Sequence, residues 1–504
     1  MNLLTDAWIP IAEDEKFKHI TLKDALCRDA AWDITLPRDD MEMAALQLAI
    51  CLVQVIFPPK TATELKGRLA KPMSEKEFYD GIKNFKDWFE LEHKDYPFMQ
   101  TRGVKDEKVT PIQKLFVGLP AGNNDAFFNV PDEVKQACPS CSAIALFNQA
   151  TNCPGFGGGY HDGLRGRAPI TTLIGGETLR EKIWRNVLAG DFITSNNIPQ
   201  IQFPNERPVW VEGIKIKETI LAQKVGLLRG LCWQPAHIKL VSEIKNGVCD
   251  SCGIATDTSF MGFRSEKFGN IDNKKSPGYK FSGTWTHPHS PARWALENGK
   301  KAYRFLSFNK TAPSWTQMND IMLSREEVNE GNTPAFVLSQ YKNIFLGRDV
   351  TLLVGGYLNK QSSISGRRHE RFSISAGWDE NRDTLKDYIQ IALKINGALH
   401  KKTWGFGKAV DTTGISDDIA KGLSAKTDAR FYGDSEGYIH NTLKTIDWRQ
   451  AAGLKKQFTD RLINLAWDIF ADITRPYQNE PRMIKAYATA KRNLSKEFKK
   501  IKEG

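Results

Sequence analysis

Long apolar runs are missing from this 504-residue sequence. The longest, Met43 to Phe57, is broken by Gln47 and Gln54 and falls short of the roughly 20 residues that cross a bilayer. It reads instead as a buried helix, and no membrane segment is expected. Met1 to Lys16 carries Asp6, Pro10, Glu13, Asp14 and Glu15 where a secretory signal has a basic start and an apolar run, so a cytoplasmic protein is expected. Internal repeats and low-complexity tracts are also lacking. Histidine is scarce, at 9 residues, and none stands in His-Glu-x-x-His or in the His-x-Glu element of zinc deaminases. The motif set of protein kinases is absent too. These gaps weaken the case for catalysis.

What is present is a large apolar stock and a basic charge. With 41% hydrophobic and 10% aromatic residues, the chain can fill one large core and a smaller one, so two domains are expected. Lys and Arg total 70 against 59 Asp and Glu, for a net charge of +11. That sign favours a polyanionic partner, because cations that neutralise phosphates release condensed counterions; a merely basic protein is the alternative.

Patterning divides the chain. Residues 1 to about 130 mix short strands with helices, and the acidic residues of Leu36-Pro-Arg-Asp-Asp suit the N-terminal end of the helix that follows. From about 131 to 375, frequent Gly, Pro and Trp with short apolar runs predict an irregular α+β region with long loops, the kind that carry binding sites. Beyond 376 the period is helical. Leu385, Tyr388, Ile389, Ala392, Ile395 and Leu399 form one stripe; Phe458, Leu462, Ala466, Ile469 and Ile473 form another; Ile484, Tyr487, Leu494 and Phe498 form a third. With a weaker pattern from Ile415 to Phe431, the expectation is an α+β N-terminal domain over 1–375 and a C-terminal four-helix bundle over 376–504. The last helix carries Arg482, Lys485, Lys491, Arg492, Lys496, Lys499, Lys500 and Lys502. It reads either as a solvated face or as a surface for phosphates or partners.

Three groups of residues can carry chemistry. Cys138-Pro-Ser-Cys141 and Cys249-Asp-Ser-Cys252 are two knuckles that together offer four thiolates to a tetrahedral zinc. Four sulfur ligands leave no open position for water, so such a zinc is structural. Pro154-Gly-Phe-Gly157-Gly158-Gly159-Tyr160 fails the dinucleotide fingerprint at Tyr160, yet its glycines let a ligand approach the backbone, and Arg165 and Arg167 just downstream are candidates to reach phosphate. Arg264-Ser-Glu-Lys267 and Gly355 to His369, with Lys360, Gln361, Arg367 and Arg368, set cationic and amide groups on expected turns; Gln meets base edges and Lys meets phosphate or groove acceptors. An enzymatic alternative is a metal-dependent nuclease built on His287 and His289.

Taken in order, Met1-Asn-Leu-Leu-Thr-Asp-Ala-Trp-Ile-Pro, Leu36-Pro-Arg-Asp-Asp-Met-Glu, Pro97-Phe-Met-Gln-Thr, Ala143-Ile-Ala-Leu-Phe-Asn-Gln-Ala, Pro154-Gly-Phe-Gly-Gly-Gly, Gly230-Leu-Cys-Trp-Gln-Pro-Ala-His, Trp285-Thr-His-Pro-His-Ser-Pro, Ala312-Pro-Ser-Trp-Thr-Gln and Arg367-Arg-His closely resemble the CasA family. That family supplies the large subunit of the type I-E CRISPR Cascade complex. The resemblance implies a non-catalytic DNA-binding subunit that recognises the short PAM beside a target from the minor groove and starts opening the duplex. Gly157, Gly158 and Gly159 match its glycine loop, Lys267 its lysine finger and Gln361 its wedge. Lys360 stands where Asn is expected and Ser362 where Ala is expected, which makes this wedge more cationic. Phe127, Phe128 and Asn129 match a loop, tied to the zinc region, that meets the guide-RNA 5′ end and the adjoining complex. The implied partners are the guide RNA, double-stranded target DNA with its displaced strand, the other Cascade subunits, and a helicase-nuclease recruited in trans. A purely architectural subunit is the remaining alternative.

Overall fold

The run from Met43 to Phe57 lies almost wholly within one helix, Asp39–Ile56, in a computed structural model of the chain. The structure describes residues 1–119, 133–199, 205–269, 271–272, 278–308, 312–360, 363–410 and 417–503, without the side chains of 242–245, 300, 360 and 363. Asp39, Asp40 and Glu42 occupy the first turn of that helix, where free N–H groups favour carboxylates. Nearly every later residue in it is buried, Gln47 and Gln54 included, so the helix is enclosed on all sides, as a central core helix must be. It packs against a second buried helix, Pro139–Asn152, whose N-cap is Cys138 and whose first position is Pro139.

Two compact units emerge. One comprises Met1–Asn309, Ser324–Ile344 and Leu352–Arg371; the other Lys310–Leu323, Phe345–Thr351 and Phe372–Gly504. The first mixes helices and sheets, the α+β class expected. One sheet runs Thr110–Pro111, Ala255–Glu266, His237–Val248, all antiparallel. A second orders Ser363–Ile374, Val350–Lys360, Thr171–Ile174, with Leu352 opposite Ile174 and Gly355 opposite Thr171. Gly355 is required by close approach: a Cβ there would sit 2.2 Å from His369 Cδ2 and 2.3 Å from Met43 Sδ. A third orders Lys300–Phe305, Ala292–Glu297, Glu330–Thr333, Arg325–Glu326.

The second unit carries four long helices, Arg382–Val410, Asp418–Thr445, Ala451–Thr474 and Pro481–Glu503. The stripes from Leu385 to Leu399 and from Phe458 to Ile473 are buried where the period places them. Aromatic contacts join them: Tyr388 lies 4.7 Å from Phe458, and Trp467 lies 5.3 Å from Phe498. The third stripe needs correction. Ile484 is 60% exposed, and Met483, Ala490, Leu494 and Phe498 are the buried residues, spaced by seven, four and four. The basic residues of this helix are partly engaged within the fold. Lys502 pairs with Asp460 at 2.6 Å, Lys500 with Glu497 at 3.9 Å, Lys499 with Glu503 at 3.7 Å, and Arg482 with Glu480 at 2.8 Å. Among the described residues, no helix is long and apolar enough to cross a membrane.

Candidate nucleic-acid interface and cysteine cluster

The two cysteine knuckles meet. Cys138 caps its helix, its Sγ accepting from the Cys141 N–H at 3.4 Å, while the Cys138 N–H donates to Cys249 Sγ at 3.2 Å. The second knuckle is a turn in which Gly253, at φ +73°, donates its N–H to the Cys249 carbonyl at 2.8 Å. Asp250 then bolts the two together: one carboxylate oxygen accepts from Lys135 and Gln136 N–H at 2.8 and 2.9 Å. All four sulfurs are buried, unbridged and within 4.8 Å of one another. Cys138 Sγ and Cys252 Sγ are 3.8 Å apart, which is the separation of about 3.8 Å that tetrahedral Zn–S bonds of about 2.3 Å produce. Hydrogen bonds with Cys138, Cys249 and Cys252, and burial, push the Cys141 thiol well up. Hydrogen bonds from Cys138, Cys141 and Cys249 hold Cys252 far down. Four buried sulfurs at this spacing have the donor set of a metal centre, and these four residues can hold one ion.

The glycine loop and Lys267 are neighbours. Phe156 packs on Phe263 of the Ala255–Glu266 strand with centroids 5.5 Å apart, and the Tyr160 and Ser265 hydroxyls are hydrogen-bonded at 3.0 Å. These contacts lay the loop along the strand whose end delivers Lys267. Gly157 and Gly159 have φ of +126° and +88°, a region that disfavours side chains. A Cβ on Gly159 would stand 2.9 Å from Lys267 Nζ, whereas one on Gly158 would meet nothing within 4 Å. Lys267 is exposed. The arrangement offers bare backbone and one cation side by side.

Other candidates fare differently. Lys360 ends the Val350–Lys360 strand, while Gln361, like Phe127, Phe128 and Asn129, lies outside the described residues. Arg264, Arg367, Arg368 and His369 lie on strands, not on the turns the sequence suggested. Arg367 and His369 turn back onto Asp39. Burial would raise that carboxyl, but the hydrogen bonds from His369 and Arg367 hold it well below the usual range. Arg165 is no phosphate ligand in this fold: at 3% exposed it donates to Ser290 Oγ at 2.7 Å, Thr171 Oγ1 at 2.8 Å, the Ile170 carbonyl at 3.2 Å and Asn152 Oδ1. Arg167 is exposed and pairs with Asp162 at 2.9 Å. His287 and His289 are core residues. Burial and the nearby Arg165 lower both, His289 to about 3, so both stay neutral. Among the described residues, neither joins a cluster of three or more metal-ligating groups. Gly433-Asp-Ser435-Glu-Gly437 fits the spacing of a nucleophile elbow. It sits inside the Asp418–Thr445 helix with Ser435 fully buried, so the strand-to-helix turn and exposed hydroxyl of an elbow are not there.

Comparison with known proteins defines a class first: the fold is one found among CRISPR-associated proteins. A structure of Thermus thermophilus CasA (Cse1) superposes with a TM-score of 0.74 at 18% identity, over 99% of each chain. A structure named as a CRISPR RNA-guided surveillance complex gives 0.65 at 13% identity, again over 99% of each. A curated relative from Thermus thermophilus, CRISPR-associated protein CasA/Cse1, is 23% identical over 253 residues. That match covers 48% of this chain and 49% of the relative, so it spans about half the length of each. Residues 2–469 match the family model described as CRISPR-associated protein Cse1. The chain belongs to the Cse1 (CasA) family.

Proposed function

We propose that the chain is the large, non-enzymatic subunit of a type I-E CRISPR RNA-guided surveillance complex, the Cascade, acting in the cytoplasm. In this role it reads the PAM beside a target from the minor groove, begins to part the strands, and supports recruitment of a helicase-nuclease. Its reading surface is the glycine loop Gly157-Gly158-Gly159 with Lys267, and its wedge is Lys360-Gln361. The 1–375 region is the PAM-recognition domain, and the helices of 376–504 form a four-helix bundle that faces displaced strand or neighbouring subunits. Phe127, Phe128 and Asn129 contact the guide-RNA 5′ end. Zinc is the ion suited to Cys138, Cys141, Cys249 and Cys252, where it supplies a structural cross-link. The likeness to a solved surveillance complex supports the assembly.

The observation that carries this reading is the seating of Lys267 against Gly159. The minor groove presents acceptors at every base pair and a donor only at G·C. Bare backbone N–H groups with one flexible cation match that degenerate pattern, and the absence of side chains at 157–159 permits close approach. Several PAM sequences should therefore be accepted. Guide pairing supplies the remaining selectivity.

The test compares the assembled, guide-loaded complex carrying Lys267→Ala with the native complex on duplexes that differ only in the flanking bases. The variant is expected to bind PAM-bearing duplex roughly 10- to 100-fold more weakly, as the loss of one groove contact of about 1–3 kcal/mol requires. Binding to PAM-less duplex should hardly change. An equal loss on both would reduce Lys267 to a sequence-blind phosphate contact.

A further inference from the structure

Tyr357, on the Val350–Lys360 strand, is fully buried and joins two halves of a hydrogen-bond chain. Its hydroxyl donates to Asp40 Oδ2 at 2.9 Å and accepts from Asn148 Nδ2 at 2.7 Å. Beyond Asp40, Arg38 grips the same carboxylate at 3.0 and 2.7 Å and donates to the Val117 carbonyl at 2.7 Å. Val117 lies just before the segment that contains Phe127, Phe128 and Asn129. Beyond Asn148, its Oδ1 accepts from Asn152 Nδ2 at 3.0 Å, and Asn152 Oδ1 accepts from Arg165. Gln149 Nε2 donates to the carbonyl of Pro154, where the glycine loop begins, at 2.8 Å. An apolar cluster joins the same places. Val117, Cys153, Ala168 and Tyr357 form one buried group with Ile364 packed on it. Cys153 and Ala168 flank the glycine loop, and Ile364 is the second residue of the Ser363–Ile374 strand.

We infer that Tyr357 is a positioning residue, whose hydroxyl holds the root of the glycine loop, the Phe116–Leu119 turn and the Val350–Lys360 strand in one fixed arrangement. Buried networks rigidify when every member is satisfied, and the phenol is the atom shared by both halves of this one. Burial, followed by the nearby Asp40 carboxylate, keeps that phenol protonated, so it remains the donor to Asp40. Removing the oxygen leaves the ring in the apolar cluster and cuts only the polar link. What the three segments touch rests on the DNA-reading role proposed above; their mutual fixing does not.

Hydrogen–deuterium exchange on the 504-residue chain tests this. Tyr357→Phe is expected to speed exchange about tenfold, the effect of one lost hydrogen bond, both at Gly155–Gly166 and at Phe116–Leu119. Val354→Ala, a cavity in the same strand outside the network, should leave both segments at native rates. Asn148→Ala cuts the chain one link further on, and should loosen Gly155–Gly166 while sparing Phe116–Leu119. If Tyr357→Phe does not fold, that split in the Asn148→Ala protein decides the matter. Faster exchange confined to the Val350–Lys360 strand, or the same pattern in Tyr357→Phe and Val354→Ala, overturns the inference. The readout needs no DNA, so it can fail while Lys267 still discriminates PAM, and the reverse result is equally visible.

Discussion

Cys141→Ala protein is expected to bind no zinc at this cluster and to lose about 3 kcal/mol or more of stability, the range reserved for disulfide or metal loss and comparable disruptions. The reason lies in what the four sulfurs connect. Cys138 and Cys141 begin the buried Pro139–Asn152 helix, and Cys249 and Cys252 form the turn between the His237–Val248 and Ala255–Glu266 strands. A single ion would thus fasten a core helix to the hairpin that carries Lys267. Without it, the sulfurs that lie within 4.8 Å of one another in a buried site lose the cation that would tie helix to hairpin. Metal analysis should find about one zinc per native chain and close to none in the variant, whose thermal transition should fall. Equal zinc content and equal melting in the two proteins would remove the metal from the account.

A comparable loss is expected at Arg165. Arg165→Met should destabilise the protein by about 3 kcal/mol, since the acceptors on Asn152, Thr171, Ser290 and Ile170 would be stranded in the core. Burial lowers the guanidinium to about 9, which still leaves it charged at neutral pH. These acceptors are amide, hydroxyl and carbonyl oxygens, so the charge is solvated by protein dipoles. The measurement that separates this role from phosphate binding is the salt dependence of DNA affinity. A phosphate ligand takes about one unit from the slope when removed. The buried role predicts an unchanged slope in whatever folded protein survives, and a lower denaturation midpoint.

Arg165 also marks where sequence reading runs out. An arginine six residues past a triple glycine looks like a loop cation, and only the tertiary packing of Asn152, Thr171 and Ser290 around it reveals a core residue. The seating of Lys267 on Gly159 was equally hidden, because it depends on Phe156 finding Phe263 across the fold. Local chemistry was legible. The paired Cys-x-x-Cys spacings announced a four-sulfur cluster, and large apolar residues at threes and fours announced the helices around Leu385–Leu399 and Phe458–Ile473. The Asp418–Thr445 helix showed only faintly because its buried face is partly Ser424, Thr427 and Ser435, and polar residues make a weak stripe. Thr427 is accommodated there by donating its hydroxyl to the Leu423 carbonyl at 2.8 Å. In the last helix, Ile484 drew the stripe one residue off because its apolar side chain is exposed beside the buried Met483.

The central claim is that this subunit opens duplex DNA beside the bases it reads. The most direct measurement is the affinity of the guide-loaded complex carrying Gln361→Ala for two targets, one fully paired and one already unpaired next to the PAM. Unstacking a base step costs a few kcal/mol, so the variant should bind the closed target roughly 10-fold or more below native and the opened target at the native level. An equal loss on both targets, or none on the closed one, would contradict the wedge and the opening role with it.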